Sequence, residues 1–168
     1  MTTLDNLLSL VGTAVAGAPL DAGFDKAMEA ALVKGHTAAY LAAAAERAGV
    51  KVDSGLFKGL SKAERADIKK AVGEQLEYLK GFVAAKGDMS EDAIRARAAM
   101  YTGSVRATYG RSRYPGLSQY PGDGNTKCLT RCLCSLDERD DGIHWVLDGG
   151  EHCEDCEAMA AGSPYQVA

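Results

Sequence analysis

The sequence predicts a mainly α-helical protein, a helical body containing a long antiparallel helix hairpin, followed by a small α+β cysteine-rich tail. Three observations carry this. Hydrophobic residues make up 46% of the 168 residues, yet aromatics are only 7% and alanine is abundant, which suits closely packed helices better than a β-sandwich. Up to Tyr109 the apolar positions recur at helical spacing. All five cysteines and two of the three histidines lie between Cys128 and Cys156. The expected organisation is a helical domain over 1–113, a Pro/Gly-rich linker over 114–127 and a cysteine-rich module over 128–168.

Taken in order, the N-terminus MTTLDNLLSLVGTAVAGAPL imitates a signal peptide but lacks a basic n-region and carries Asp5. Its Leu4, Leu7, Leu8, Val11 and Val15 form one stripe, so a helix is expected over 3–16, in a protein made in a reducing cytoplasm. No apolar run reaches the roughly 18 residues of a membrane span. A second helix should run from Asp21 or Phe24 to Lys34 with Gly35 as its stop, and a third from Thr37 to Ala48 with Gly49 as its stop. Ala42 to Ala45 offer a narrow face for a close neighbour.

After a connector over 50–60, Ser61-Lys62-Ala63-Glu64 is a capping box that satisfies the orphan N–H groups of a helix start. Ile68, Val72, Gln75 or Leu76, Leu79 and Val83 then extend one helix to Ala85, closed by Gly87. Ser90, with Glu91 and Asp92 in the first turn, opens the next. Ile94, Ala98, Tyr101, Val105 and Tyr109 mark its buried side as far as 113. The short separation predicts an antiparallel pair.

In the tail, Ile143, Trp145 and Leu147 alternate with His144 and Val146, which predicts a strand between the turns at Asp140-Asp141-Gly142 and Asp148-Gly149-Gly150. Leu129 to Leu136 is its expected hairpin partner. Glu154 to Ala161 has helical composition, which puts Cys153 and Cys156 at a helix N-terminus, where the dipole favours thiolate.

Cys128, Cys132 and Cys134 form C-x3-C-x-C, and Cys153 and Cys156 form C-x2-C behind His152. Pairs spaced this way can wrap opposite sides of a tetrahedral zinc ion. The expected site is a structural zinc with four ligands from the five cysteines: Cys153 and Cys156, two of Cys128, Cys132 and Cys134, and His152 in reserve. The alternatives are a disulfide with a spare thiol, or cysteines acting as small buried hydrophobes. A module this small cannot bury a self-sufficient core, so metal would supply what packing cannot.

No catalytic group assembles convincingly from His36, His144 and His152. A Cys134–His144 nucleophile pair is disfavoured by the surrounding acids. A catalytic zinc with Glu151 or Glu154 as base is disfavoured by cysteine-rich ligation. Residues 1–113 hold sixteen Lys/Arg against thirteen Asp/Glu, a balance of +3, whereas 114–168 hold three against ten, or −7. An acidic module is a poor phosphate binder. Arg95, Arg97, Arg106, Arg111 and Arg113 read as a solvated or carboxylate-paired face, or alternatively as a contact for nucleic acid or an acidic partner.

The order of parts resembles a known family. GHTAAYLA, RARAAMYTGSVRATYGRSRYPG, TKCLTRCLC, WVLDGGEHCEDC and AAGSPY, spread over residues 35–168, are similar to minor head or head-morphogenesis proteins of tailed phages, Mu F-like, with the cysteine clusters in an atypical order. The resemblance implies a non-enzymatic virion protein, made in the host bacterial cytoplasm, that meets portal or capsid subunits or further copies of itself. The alternative is an intracellular zinc-dependent interaction or regulatory module, contacting nucleic acid through Arg95, Arg106 and Arg111.

Overall fold

A computed structural model describes residues 24–50, 60–86 and 90–166. The expected helix over 3–16, most of the 50–60 connector and the Gly87 stop lie outside the described residues, as do the side chains of Leu79, Val83 and Arg95. The chain is mostly helical and ends in a β-hairpin and a short helix that hold the cysteine cluster. Its elements are α1 (Phe24–Ala48), α2 (Lys62–Lys86), α3 (Glu91–Met100), a 3-10 turn (Tyr101–Gly103) and α4 (Ser104–Arg113). A second 3-10 turn (Leu129–Arg131), β1 (Ser135–Arg139), β2 (Gly142–Val146) and α5 (Glu154–Ala161) complete it.

Where two helices were expected around Gly35, α1 is one helix that runs through it. Met28, Leu32, His36, Ala39 and Ala43, each no more than 1% exposed, form an unbroken stripe spaced i, i+4, i+3. Burying that stripe outweighs the roughly 1 kcal/mol a mid-helix glycine costs. Gly49 does end the helix. At φ +66° it lets its own N–H reach the Glu46 carbonyl at 3.1 Å and the Val50 N–H reach Ala45 at 2.9 Å, the paired closure that a left-handed residue permits.

α1 is the element the others pack on: α4 makes the most extensive contact with it and α2 the next, whereas α2 and α3 touch little. The alanine face is buried at Ala42, Ala43 and Ala45, and the helices come close enough for the Ser112 hydroxyl to reach the Tyr40 carbonyl at 2.9 Å. Ile68, Val72 and Leu76 of α2 join Ala98, Tyr101 and Val105 in the same core. The capping box forms as read: the Ser61 N–H donates to Glu64 Oε2 at 2.6 Å, and the Glu64 N–H to Ser61 Oγ at 3.2 Å. Tyr40 then donates its hydroxyl to the other oxygen of Glu64.

The second arm, expected as one helix to 113, is broken by the 3-10 turn at Tyr101–Gly103. The Ser104 hydroxyl donates back to the Tyr101 carbonyl at 2.6 Å, a local competitor of the helical ladder. Gly122 packs against this break so tightly that a Cβ there would lie 2.6 Å from the Gly103 oxygen. The 114–127 segment is accordingly folded onto α4. Tyr120 is buried and donates to the Tyr114 carbonyl at 2.9 Å.

The tail hairpin forms, with a different first strand. β1 is Ser135–Arg139 and pairs Leu136 with Trp145 and Asp137 with His144, while most of the expected partner, Leu129 to Leu136, forms the 3-10 turn and a loop. A two-residue turn at Asp140-Asp141 fixes this register. Ile143 and Trp145 are buried, but Leu147 lies past the strand and is exposed. The C-terminal segment returns to β2 through reciprocal Ile143–Tyr165 backbone bonds of 2.9 and 2.8 Å.

Candidate metal centre

The ligand candidates arrive from three local structures. Cys128 leads into the 3-10 turn, whose first residue, Leu129, has φ +53°, a conformation L-residues adopt rarely outside constrained sites. Cys132 follows that turn and Cys134 immediately precedes β1. Cys153 is the N-cap residue of α5, and Cys156 lies in its first turn.

These thiols converge on Cys156. Its Sγ is 3.5 Å from that of Cys128 and 3.5 Å from that of Cys132, while Cys134 Sγ lies 3.5 Å from His152 Nδ1. Cys128, Cys153 and Cys156 form one group of donors within 4.8 Å of one another, and Cys132, Cys134 and Cys156 form a second. None of the five is disulfide-bonded in this structure. Zinc–sulfur bonds of about 2.3 Å in a tetrahedron set sulfurs about 3.8 Å apart, and the spacing within each group is of that order.

Packing and polar tethers hold the donors in place. Cys132, Cys134 and Cys156 are buried with Trp145, and Leu136, Met159 and Tyr165 pack around them. Arg106 of α4 donates to the carbonyls of Leu133 at 3.3 Å and Cys134 at 3.2 Å, tying the middle of the first cluster to the helical body. Thr126 Oγ1 lies 3.1 Å from Cys128 Sγ. The Lys127 N–H donates to Asp155 Oδ2 at 2.7 Å, and its ammonium pairs with Glu154. The Arg106 and Lys127 tethers were invisible in the sequence, because each joins residues more than two dozen positions apart.

Burial raises the Cys128 and Cys132 thiols above their ordinary pKa. Cys156 is raised furthest, by burial and then by the crowd of Cys128, Cys132 and Cys153 around it. At Cys153 burial is outweighed by hydrogen bonds from the Cys156 and Cys128 backbones and thiols, which bring it down to about 7. A divalent cation reverses this picture, since coordination holds sulfur as thiolate and releases the proton.

The other singled-out residues lie elsewhere. His144 Nε2 is 2.7 Å from Asp141 Oδ1 on the hairpin turn, so the imidazole beside Cys134 is that of His152. Glu151 is exposed, and Glu154 is engaged by Lys127. His36, expected at a helix boundary, is buried in mid-helix beside a cavity of about 590 Å³. Its Nδ1 lies 2.7 Å from Thr108 Oγ1 and its Nε2 3.3 Å from Ser104 Oγ. Because Ser104 directs its proton to the Tyr101 carbonyl, its oxygen is an acceptor for the imidazole and not an activated nucleophile.

The arginines turn largely onto their own chain. Arg113 pairs with Glu138 at 2.7 Å, and Arg111 and Arg97 lie over the rings of Tyr120 and Tyr101 at 5.7 and 5.8 Å. No helix among the described residues is long and apolar enough to cross a membrane. No family model, curated protein or solved structure matches the chain.

Proposed function

We propose that this chain is a non-enzymatic structural component of a tailed-phage head, with a C-terminal module closed by zinc and a helical body that contacts portal or capsid subunits. One observation carries the metal reading: five cysteine thiols from separate stretches of chain converge around Cys156 at zinc-like spacing. The module has little besides Trp145, Ile143 and those thiols at its centre, so metal coordination supplies folding energy that its small core lacks. The head assignment rests on the resemblance of the sequence over 35–168, and the engagement of Arg106, Arg111 and Arg113 within the chain supports a protein contact over a nucleic-acid one.

The test is to purify phage particles from an induced culture of the bacterium that encodes the chain and to analyse them by mass spectrometry and labelled-antibody electron microscopy. The chain should co-purify with heads and label one location on them. Recovery only as free protein would refute the head assignment. Tight, strongly salt-dependent DNA binding by the purified chain would favour a nucleic-acid role instead.

A further inference from the structure

The cluster has more ligands than one zinc can take, and it is divided. A single four-coordinate ion requires four donors all mutually near one tetrahedral edge, about 3.8 Å for sulfur. Among the described residues the donors form two groups of three, Cys128–Cys153–Cys156 and Cys132–Cys134–Cys156, each within 4.8 Å internally. Cys156 alone belongs to both, and it sits at 3.5 Å from one member of each.

We propose that the module binds two zinc ions bridged by the Cys156 thiolate, which deepens the zinc reading above and rests on it. The first ion is held by Cys128, Cys153 and Cys156. The second is held by Cys132, Cys134 and Cys156; His152, whose Nδ1 lies 3.5 Å from Cys134 Sγ but outside the 4.8 Å group, turns in as its fourth ligand. Cys128 and Cys153 are half-buried, so solvent reaches the first ion and supplies its fourth donor. A bridging thiolate with bonds of about 2.3 Å to each metal sets the ions about 3.8 Å apart.

Charge and burial favour two ions over one. Binding two Zn²⁺ to five thiols and a neutral imidazole releases five protons and leaves a net charge of −1. A single ion with four thiolates carries −2 and strands the fifth thiol. Cys132, Cys134 and Cys156 are each under 5% exposed, where uncompensated anionic sulfur is costly. The two ions also have distinct structural work: the first joins the approach to the 3-10 turn to the N-terminus of α5, and the second joins the entry of β1 to the same helix. Cys156 makes them one unit.

Native mass spectrometry of the full chain, reduced and equilibrated with a slight excess of zinc, should find two ions per chain. One ion per chain, even with excess metal, would overturn the two-ion centre while leaving the zinc-closed module standing; none would overturn both. Replacing zinc with NMR-active cadmium gives the independent check. Two cadmium resonances should appear, and the β-protons of Cys156 should correlate with both. Two resonances that share no cysteine would overturn the bridge.

Discussion

His36 makes the acid stability of the helical body calculable. Its imidazole is 1% exposed and is held between the Thr108 and Ser104 hydroxyls. Burial first, then the Arg111 guanidinium, lower its pKa from 6.5 to about 4, against a smaller opposing contribution from Gln75. Between those two values the unfolded chain carries a proton on this histidine that the folded chain refuses. Stability from this group is therefore complete above the unfolded pKa and falls as pH drops towards 4. At roughly 1.4 kcal/mol per pH unit the fall from 6.5 to about 4 is worth about 3.5 kcal/mol in full, of which about 3 kcal/mol is lost by pH 4, where the folded ring is half protonated. Urea unfolding followed by far-UV circular dichroism at pH 7 and pH 4 should show wild type losing about that much more stability than a His36→Gln variant. Carboxylate protonation and metal release are common to both chains and cancel in the difference. By NMR, the His36 ring should stay neutral through pH 6 and titrate near 4. Parallel pH profiles for the two proteins, or a His36 titration near 6.5, would refute the reasoning.

Other perturbations test the packing and the module. Leu32→Ala, at a fully buried site where α1 meets the core, should lower unfolding free energy by about 2–5 kcal/mol in urea titrations; an unchanged midpoint would contradict the α1-centred core. Arg106→Ala removes the guanidinium bonded to the Leu133 and Cys134 carbonyls. It should cost about 1.5–3 kcal/mol and speed amide exchange in β1 and β2 while leaving α1 protected; equal acceleration in both would show that the tether is not local. Stripping zinc with a chelator should expose Trp145, the sole tryptophan and now only 3% exposed. Its emission should shift to the red with most helical signal retained, and an unmoved spectrum after verified metal loss would deny the metal a structural role.

Much of the local structure was written in the sequence, because it depends on residues within one or two turns of each other. The capping box at Ser61 and Glu64, the left-handed stop at Gly49, the stripe of Ile68, Val72 and Leu76, and the start of α5 behind Cys153 are all short-range arrangements. The cysteine spacing likewise announced a metal-type cluster before any fold was known. Tertiary context decided the rest. Gly35 reads as a helix stop until the burial of Leu32, His36 and Ala39 on one continuous face outweighs its backbone cost. The charged Ser135–Arg139 stretch becomes a strand because a two-residue turn pairs it with β2, an outcome its own composition does not favour. The division of the thiols into two groups around Cys156, and the hold of Arg106 on the first cluster, depend on where α4, β1 and α5 meet in space. Spacing along a chain limits which residues can share an ion; only the packing of distant segments selects which of them do.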